Sequence, residues 1–248
     1  MSGHSKWSTI KRKKGALDAK RGKIFTRLIK EISVAVKEGG GGDPTANPKL
    51  RLAISNAKNY NMPKDNIDRA IKKASGSDAT EYFEVTFEGY APHGVAVFVE
   101  CTTDNNNRTV SGVRATFSKY GGNLGTNGSL EFIFDRKGVF DIPLNDDIHE
   151  EEFTLEMIDA GAEDVETSDG YMQITCALPD FGSIQSKLEE LGIELENAEL
   201  QRMPNTTVKL DDDSFKKVMK LIEALEDNDD VQNVYHNIEI SEEQMELV

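Results

Sequence analysis

Cysteine is scarce here: Cys101 and Cys176 are the only two in 248 residues, and they lie 75 residues apart in β-like runs. That spacing frames no disulfide scaffold. Neither has a neighbouring histidine or a CxxC partner, so both read as reduced, buried thiols of a cytoplasmic protein rather than nucleophiles. Histidine is equally sparse. His4, His93, His149 and His236 are scattered, with no HExxH or i,i+4 pair, so no metal site and no cofactor is expected. No apolar run of about 18 residues is present, which excludes a helical membrane span. The basic N-terminus is not followed by the apolar segment of a secretory signal. GGNLGTNG (121–128) is glycine-rich, but no GK[ST] follows it and a strand pattern comes next, so it is no P-loop. No local Ser-His-Asp motif is present, and the abundant carboxylates sit in acidic surface runs. These absences point away from an enzyme and from a small-molecule substrate.

What is abundant is charge, and it is sorted. The chain carries a formal net charge of −15. Residues 1–73 nevertheless hold 18 basic and 6 acidic side chains, a net +12, while the remainder is at −27. A polyanion is attracted to one end of such a molecule and repelled by the other.

The apolar period places a helix over residues 18–38. Ile24, Phe25, Leu28, Ile29, Ile32 and Val36 fall in a sector about 140° wide. Four glycines (39–42) stop it. Asn47-Pro48 reads as an N-cap and first-turn proline opening a second helix, and MPKDN (62–66) opens a third, closed by Gly76. From about residue 80 the pattern turns β-like. Strands EYFEVTFEGY and GVAVFVECTT are joined around APHG, and a helix capped by Thr103 or Asp104 stops at Gly121. The glycine loop then leads to a strand over SLEFIF. Residues from GVFDIPL onward read β-α-β-β-α-β, a ferredoxin-like order. A final helix and strand return to complete the preceding unit, and the acidic tail EISEEQMELV is expected to fray. The expected fold class is α+β in three domains: a helical domain over 1–76, a discontinuous α/β domain over 77–136 plus 205–248, and a ferredoxin-like domain over 137–204 inserted in it.

The candidate site is a nucleic-acid-binding surface on the first domain. Lys20, Lys23, Arg27, Lys30 and Lys37 form a single-sign stripe roughly opposite the apolar face of the first helix. A purely solvating face usually mixes signs to form i,i+4 pairs. Upstream lie Lys6 and the run Lys11, Arg12, Lys13 and Lys14, with Trp7 between them to stack on a base or pack the arm. Lys49, Arg51 and Lys58 of the second helix extend the set. Contacts of this kind give affinity and salt dependence rather than sequence choice. The helical link NMP is short enough for a helix-turn-helix, but no zinc-finger or RRM-like signature is present.

GHSKW (3–7), DAKRGKIFTRLIKEI (18–32), GGGGDPTANPKLRLAI (39–54), NMPKDNIDRAIKKASG (61–76), EGYAPHGVAVFVE (88–100), TDNNNRTV (103–110) and SKYGGNLGTNGS (118–129) together resemble the YebC/PmpR family of probable transcriptional regulators. Its mitochondrial branch includes a translational activator of cytochrome c oxidase subunit I. The resemblance is strong over the first 130 residues or so and looser beyond. It implies the same three-domain fold with the middle domain discontinuous. It implies a regulator of gene expression with duplex DNA or ribosomal RNA as partner; with the absences above, the expected protein is non-enzymatic and cytoplasmic, its oligomeric state open with a monomer favoured. The chain departs from the family's pattern at His93, where glycine is common, at Asn106, where a basic residue is common, and at Glu131, where a small or apolar residue is expected.

Overall fold

Helix α1 (Asp18–Glu38) occupies the span set by its apolar period. The computed structural model describes residues 18–77, 79–144, 148–168, 170–193, 195–245 and 247, and the basic arm before residue 18 lies outside them. The helix ends in a Schellman-type turn. Gly40 and Gly41 take φ values of 94° and 120°, a region closed to most side chains. There the Gly41 N–H donates to Val36 O at 2.9 Å. Asn47 then ties the turn to helix α2 (Pro48–Asn59). Its Oδ1 accepts from Leu50 N–H at 3.0 Å, and its Nδ2 donates to Ala35 O and Gly41 O at 2.8 and 2.9 Å. One buried amide thus closes α1 and opens α2. Helix α3 (Lys64–Ala74) completes the domain. Leu28, Ile32 and Val36 pack against Leu50, Ala53 and Ala57 of α2 and Ile67 and Ala70 of α3.

The second region begins with the hairpin β1 (Phe83–Tyr90) and β2 (Ala96–Thr103), followed by α4 (Asn106–Lys119) and a two-residue strand β3 (Asn123–Leu124). The cap of α4 is Asn105, which accepts from Arg108 N–H at 3.1 Å. Thr103 instead lies two residues earlier and accepts from Asn105 N–H. The expected strand over SLEFIF is absent. Residues 127–133 are turns, and the next strand starts at Phe134. The apolar residues of this stretch serve another purpose. Leu130, Ile133 and Phe134 are buried on the outer face of β2, against Ala96, Phe98 and Tyr235. Glu88 pins that turn, accepting from Gly128 and Leu130 N–H at 2.7 and 2.6 Å. The Gly128 donor of the glycine loop is therefore filled by an internal carboxylate, while those of Gly122 and Gly125 go to the Phe117 and Glu88 carbonyls.

Strand β4 (Phe134–Pro143), α5 (Glu150–Asp159), β5 (Ala162–Ser168), β6 (Tyr171–Ala177), α6 (Phe181–Glu190) and β7 (Asn197–Pro204) form the inserted unit. Its antiparallel sheet runs β5-β6-β4-β7, the ferredoxin-like order. Phe140, Ile142, Met172 and Ile174 of the sheet pack against Phe153 and Met157 of α5 and Ile184 and Leu188 of α6.

The chain then returns through β8 (Val208–Lys209), α7 (Asp212–Glu226), β9 (Val231–His236), β10 (Ile238–Glu239) and α8 (Glu242–Met245). Strand β9 pairs with β2, giving the order β3-β1-β2-β9. The middle domain is therefore discontinuous, with the inserted domain between its halves. Helices α4 and α7 cover one face, where Phe117, Phe215 and Ile222 meet Val97, Val99 and Val234. The acidic tail does not fray as a whole: Met245 is buried in this core, and Gln244 Nε2 donates to Leu210 O at 2.8 Å.

Between β1 and β2, His93 sits at φ 65°, in the left-handed region that penalises a side chain. His93→Gly is expected to stabilise the protein by about 0.5–1 kcal/mol, read as an upward shift of the urea midpoint at unchanged slope.

Candidate nucleic-acid interface

Lys23, Arg27 and Lys30 project from successive turns of α1, and all three meet the acidic turn EDNDD (226–230) at the end of α7. Lys23 Nζ donates to Asp227 Oδ1 at 2.8 Å. Arg27 donates to the Glu226 carbonyl. Lys30 Nζ donates to Thr102 O, Asp229 O and Asp230 Oδ1 at 3.0, 2.8 and 2.9 Å. Its three donors are all used, and the residue is only 7% exposed. The final carbonyls of a helix lack intrahelical partners and carry the negative end of its dipole. A cationic stripe is the natural complement to such an end, more so when carboxylates surround it. Burial pushes the Arg27 guanidinium down from its ordinary pKa, while Glu226, Tyr60, Asp227 and Asp229 pull it back up.

Asp230 is the hub of this contact. Arg108 Nε and Nη2 reach its Oδ2 at 3.1 and 2.8 Å, and Thr109 Oγ1 donates to it at 2.9 Å. Burial opposes the charge, yet the bonds from Arg108, Lys30 and Thr109 hold the carboxyl below its ordinary value. The segment TDNNNRTV (103–110) thus serves the junction between domains. Arg108, which also pairs with Asp104 at 2.8 Å, is committed there.

The expected stripe is therefore split. Lys30 is a buried structural residue, which corrects its placement on an open surface. Arg27 is partly buried, and Lys23 is exposed but paired. Helical periodicity put the three on one face without showing that a second domain covers it. Lys49 pairs with Glu38 at 2.9 Å, and Arg51 donates to Pro44 O at 3.1 Å. Lys20 lies in the first turn of α1. Lys6, Trp7, Lys11, Arg12, Lys13 and Lys14 lie outside the described residues.

Lys58 is exposed and carries no hydrogen bond or ion pair among the described residues. The same holds for Lys64, Lys72 and Lys73 of α3, which the sequence counted toward the +12 without singling them out. Their signal was the dense, one-signed end of α3, where IKKASG follows a well-formed apolar stripe. These four lysines, with exposed Lys37, are the basic surface that the described part of the first domain leaves to a partner. Among the described residues, no group of three or more His, Cys, Asp or Glu could hold a metal, and no helix is long and apolar enough to cross a membrane. Burial pushes the Cys101 and Cys176 thiols up to about 12 and about 11, so neither is a thiolate near neutral pH.

The three domains meet at Glu31 of α1. Asn56 Nδ2 of α2 lies 3.4 Å from its Oε1 and 3.3 Å from Ala198 O of β7. Burial pushes the Glu31 carboxyl up to about 7; the Asn56 bond opposes the shift, and nearby Glu199 and Glu84 add to it. A second bridge joins the two sheets: Arg202 Nε donates to Glu100 Oε1 at 2.9 Å, with its guanidinium 3.8 Å above the Phe98 ring.

A family model described as the TACO1/YebC protein N-terminal domain matches residues 5–77, and one described as the TACO1/YebC second and third domain matches residues 82–238. A probable transcriptional regulatory protein of Amoebophilus asiaticus is 58% identical over 240 residues, covering 96% of this chain and 98% of its own. One from Rubrobacter xylanophilus is 54% identical over 247 residues, covering 99% and 98%. Among solved structures, a conserved hypothetical protein of Aquifex aeolicus is 46% identical with a TM-score of 0.81, over 91% of this chain and 93% of that one.

Two outcomes follow from the junction. Lys30→Met leaves Asp230 and two carbonyls short of a donor, and should destabilise the chain by about 3 kcal/mol in urea unfolding. Glu31 has a folded pKa above its unfolded value, so the folded state holds the extra proton. Stability should then fall as pH rises between about 4 and 7, by at most about 2–3 kcal/mol, and level off above. Glu31→Gln should remove that fall; urea midpoints at pH 5 and pH 8 for both proteins make the comparison.

Proposed function

We propose, from the premise that the chain belongs to the TACO1/YebC family, that it is a non-enzymatic regulator of gene expression that docks on nucleic acid through its N-terminal domain. The observation that carries this reading is the sorting of charge. The first domain holds a surplus of +12, and its neighbours are acidic. Three cations of that surplus are spent on the junction with α7, while Lys37, Lys58, Lys64, Lys72 and Lys73 remain at the surface. The basic run Lys11, Arg12, Lys13 and Lys14 adds to them. Phosphates supply the matching charge, and the acidic domains repel the same backbone, so only one end of the molecule docks.

Relatives carry the name probable transcriptional regulatory protein, and duplex DNA in the cytoplasm is the partner in this reading. Ribosomal RNA is the second reading. It is favoured by one observation: Lys23, Arg27 and Lys30 of α1 turn into the protein and not toward a groove. Lysine contacts of the remaining kind position a backbone and carry no base code.

The test is a competition titration of the full chain between labelled duplex DNA and intact ribosomes at about 150 mM salt. The four arm residues Lys11, Arg12, Lys13 and Lys14, changed together to Glu, should weaken binding to the preferred partner at least tenfold. They should also flatten the salt dependence on duplex by up to about 0.9 log units per lost contact. Lys30 is left unchanged in this variant, because Lys30→Glu would disrupt the junction. Binding that survives the change intact removes the arm from the interface. Retention of DNA over ribosomes supports transcriptional control, and the reverse supports a translation factor.

A further inference from the structure

A groove of about 520 Å³ opens between α2, α3 and the loop at Gly42 and Pro44. Met62 and Ile67 form its floor, and the partly buried Ile54 and Ile71 form its walls. Lys58, Lys64 and Lys72 stand on its rim, opposed by one carboxylate, Asp68. None of the three lysines has a partner among the described residues. Other faces of this domain are already occupied. The α1 stripe sits on α7, and Leu52, Asn56 and Asn59 of α2 sit against the inserted domain.

We propose that this groove receives one unstacked base of a single-stranded or looped nucleic acid, with the flanking phosphates held by Lys58, Lys64 and Lys72. The inference rests on the nucleic-acid reading above and, within it, favours the looped RNA of the second reading over duplex DNA. The volume lies in the range that takes a small organic group. An aliphatic lining offers a base a surface to leave water for, and apolar walls of this kind hold extruded bases elsewhere. Bases stacked inside a duplex have no free face to offer it, whereas unpaired ones do. Positive charge continues past the rim to Lys73 and the rest of the +12 domain. A polymer whose charge continues beyond the groove matches this better than an acidic peptide with a few carboxylates.

The experiment measures anisotropy of the full chain with a short uridine-rich single strand and with a duplex of equal length, with an acidic amphipathic peptide as competitor. Ile54→Trp fills the groove. The expected result is tighter binding of the single strand, lost about tenfold in Ile54→Trp, with duplex binding unchanged. Ile71→Phe is the milder second variant, and thermal melts confirm that each is folded. Photocrosslinking of a 4-thiouridine strand to the unmodified chain should mark the peptides carrying Ile54, Met62 or Ile71, independently of any variant. Binding of both nucleic acids that neither variant alters, with crosslinks elsewhere, overturns the groove and leaves the nucleic-acid reading standing. Absence of binding to either nucleic acid defeats that reading and the groove together. Displacement of the strand from the groove peptides by the acidic peptide, with tighter peptide binding, overturns the base in favour of a protein partner.

Discussion

The carboxylate of Asp230 is the point on which the arrangement of the domains depends. It takes Lys30 from the first domain and Arg108 and Thr109 from the middle one, and so ties α1, α4 and the turn before β9 together. A buried acid is costly unless its lone pairs are filled. Here they are filled from two domains at once, so the bonds persist only while the domains stay seated. The turn at 226–230 adds the carbonyl end of α7, whose partial negative charge needs cations in the same place. A three-helix domain of this size buries a small core, and its docking onto α7 and β7 adds to what Leu50, Ile32 and Ile67 supply within it.

This junction also decides what the surface can do. Positive charge in the first domain serves two ends that look identical in composition. Lys23, Arg27 and Lys30 neutralise an acidic turn within the molecule. Lys58, Lys64, Lys72 and Lys73 answer to nothing in the described chain. The difference lies in the order in which the elements pack: α1 is sandwiched, whereas the outer edges of α2 and α3 are open. Negative charge is divided in the same way. Glu88 is consumed in holding the glycine loop, Glu100 in holding Arg202, and the three glutamates of the first turn of α5 face solvent. Glu31 stands between these cases, a carboxyl where three domains converge and where burial favours the protonated form.

Local rules carried far into the fold. The period of Leu28, Ile32 and Val36, the four glycines, and Asn47-Pro48 set α1, its stop and the start of α2, because each acts within a turn or two of chain. The β-α-β-β-α-β order of the inserted domain was legible from alternation and turn residues, and so was the return of α7 and β9 to the middle sheet. SLEFIF misled because a turn laid over an apolar face also buries apolar side chains, here Leu130, Ile133 and Phe134, and this turn is held by a distant glutamate. The cap of α4 moved to Asn105 because Thr103 and Asp104 were drawn into the Asp230 network. The tail was read as loose from its acidity, while its one buried methionine holds it.

By itself the sequence determined the helices, the strand order of the inserted domain and the division of charge, since these depend on residues close in the chain or on simple counts. Only the tertiary structure decided which basic residues remain available. Lys30 and Lys58 are equivalent in any pattern of charge. One is sealed by residues about 200 positions away and the other is left at the edge of a groove, and contacts between such distant segments leave no periodic trace in a single sequence.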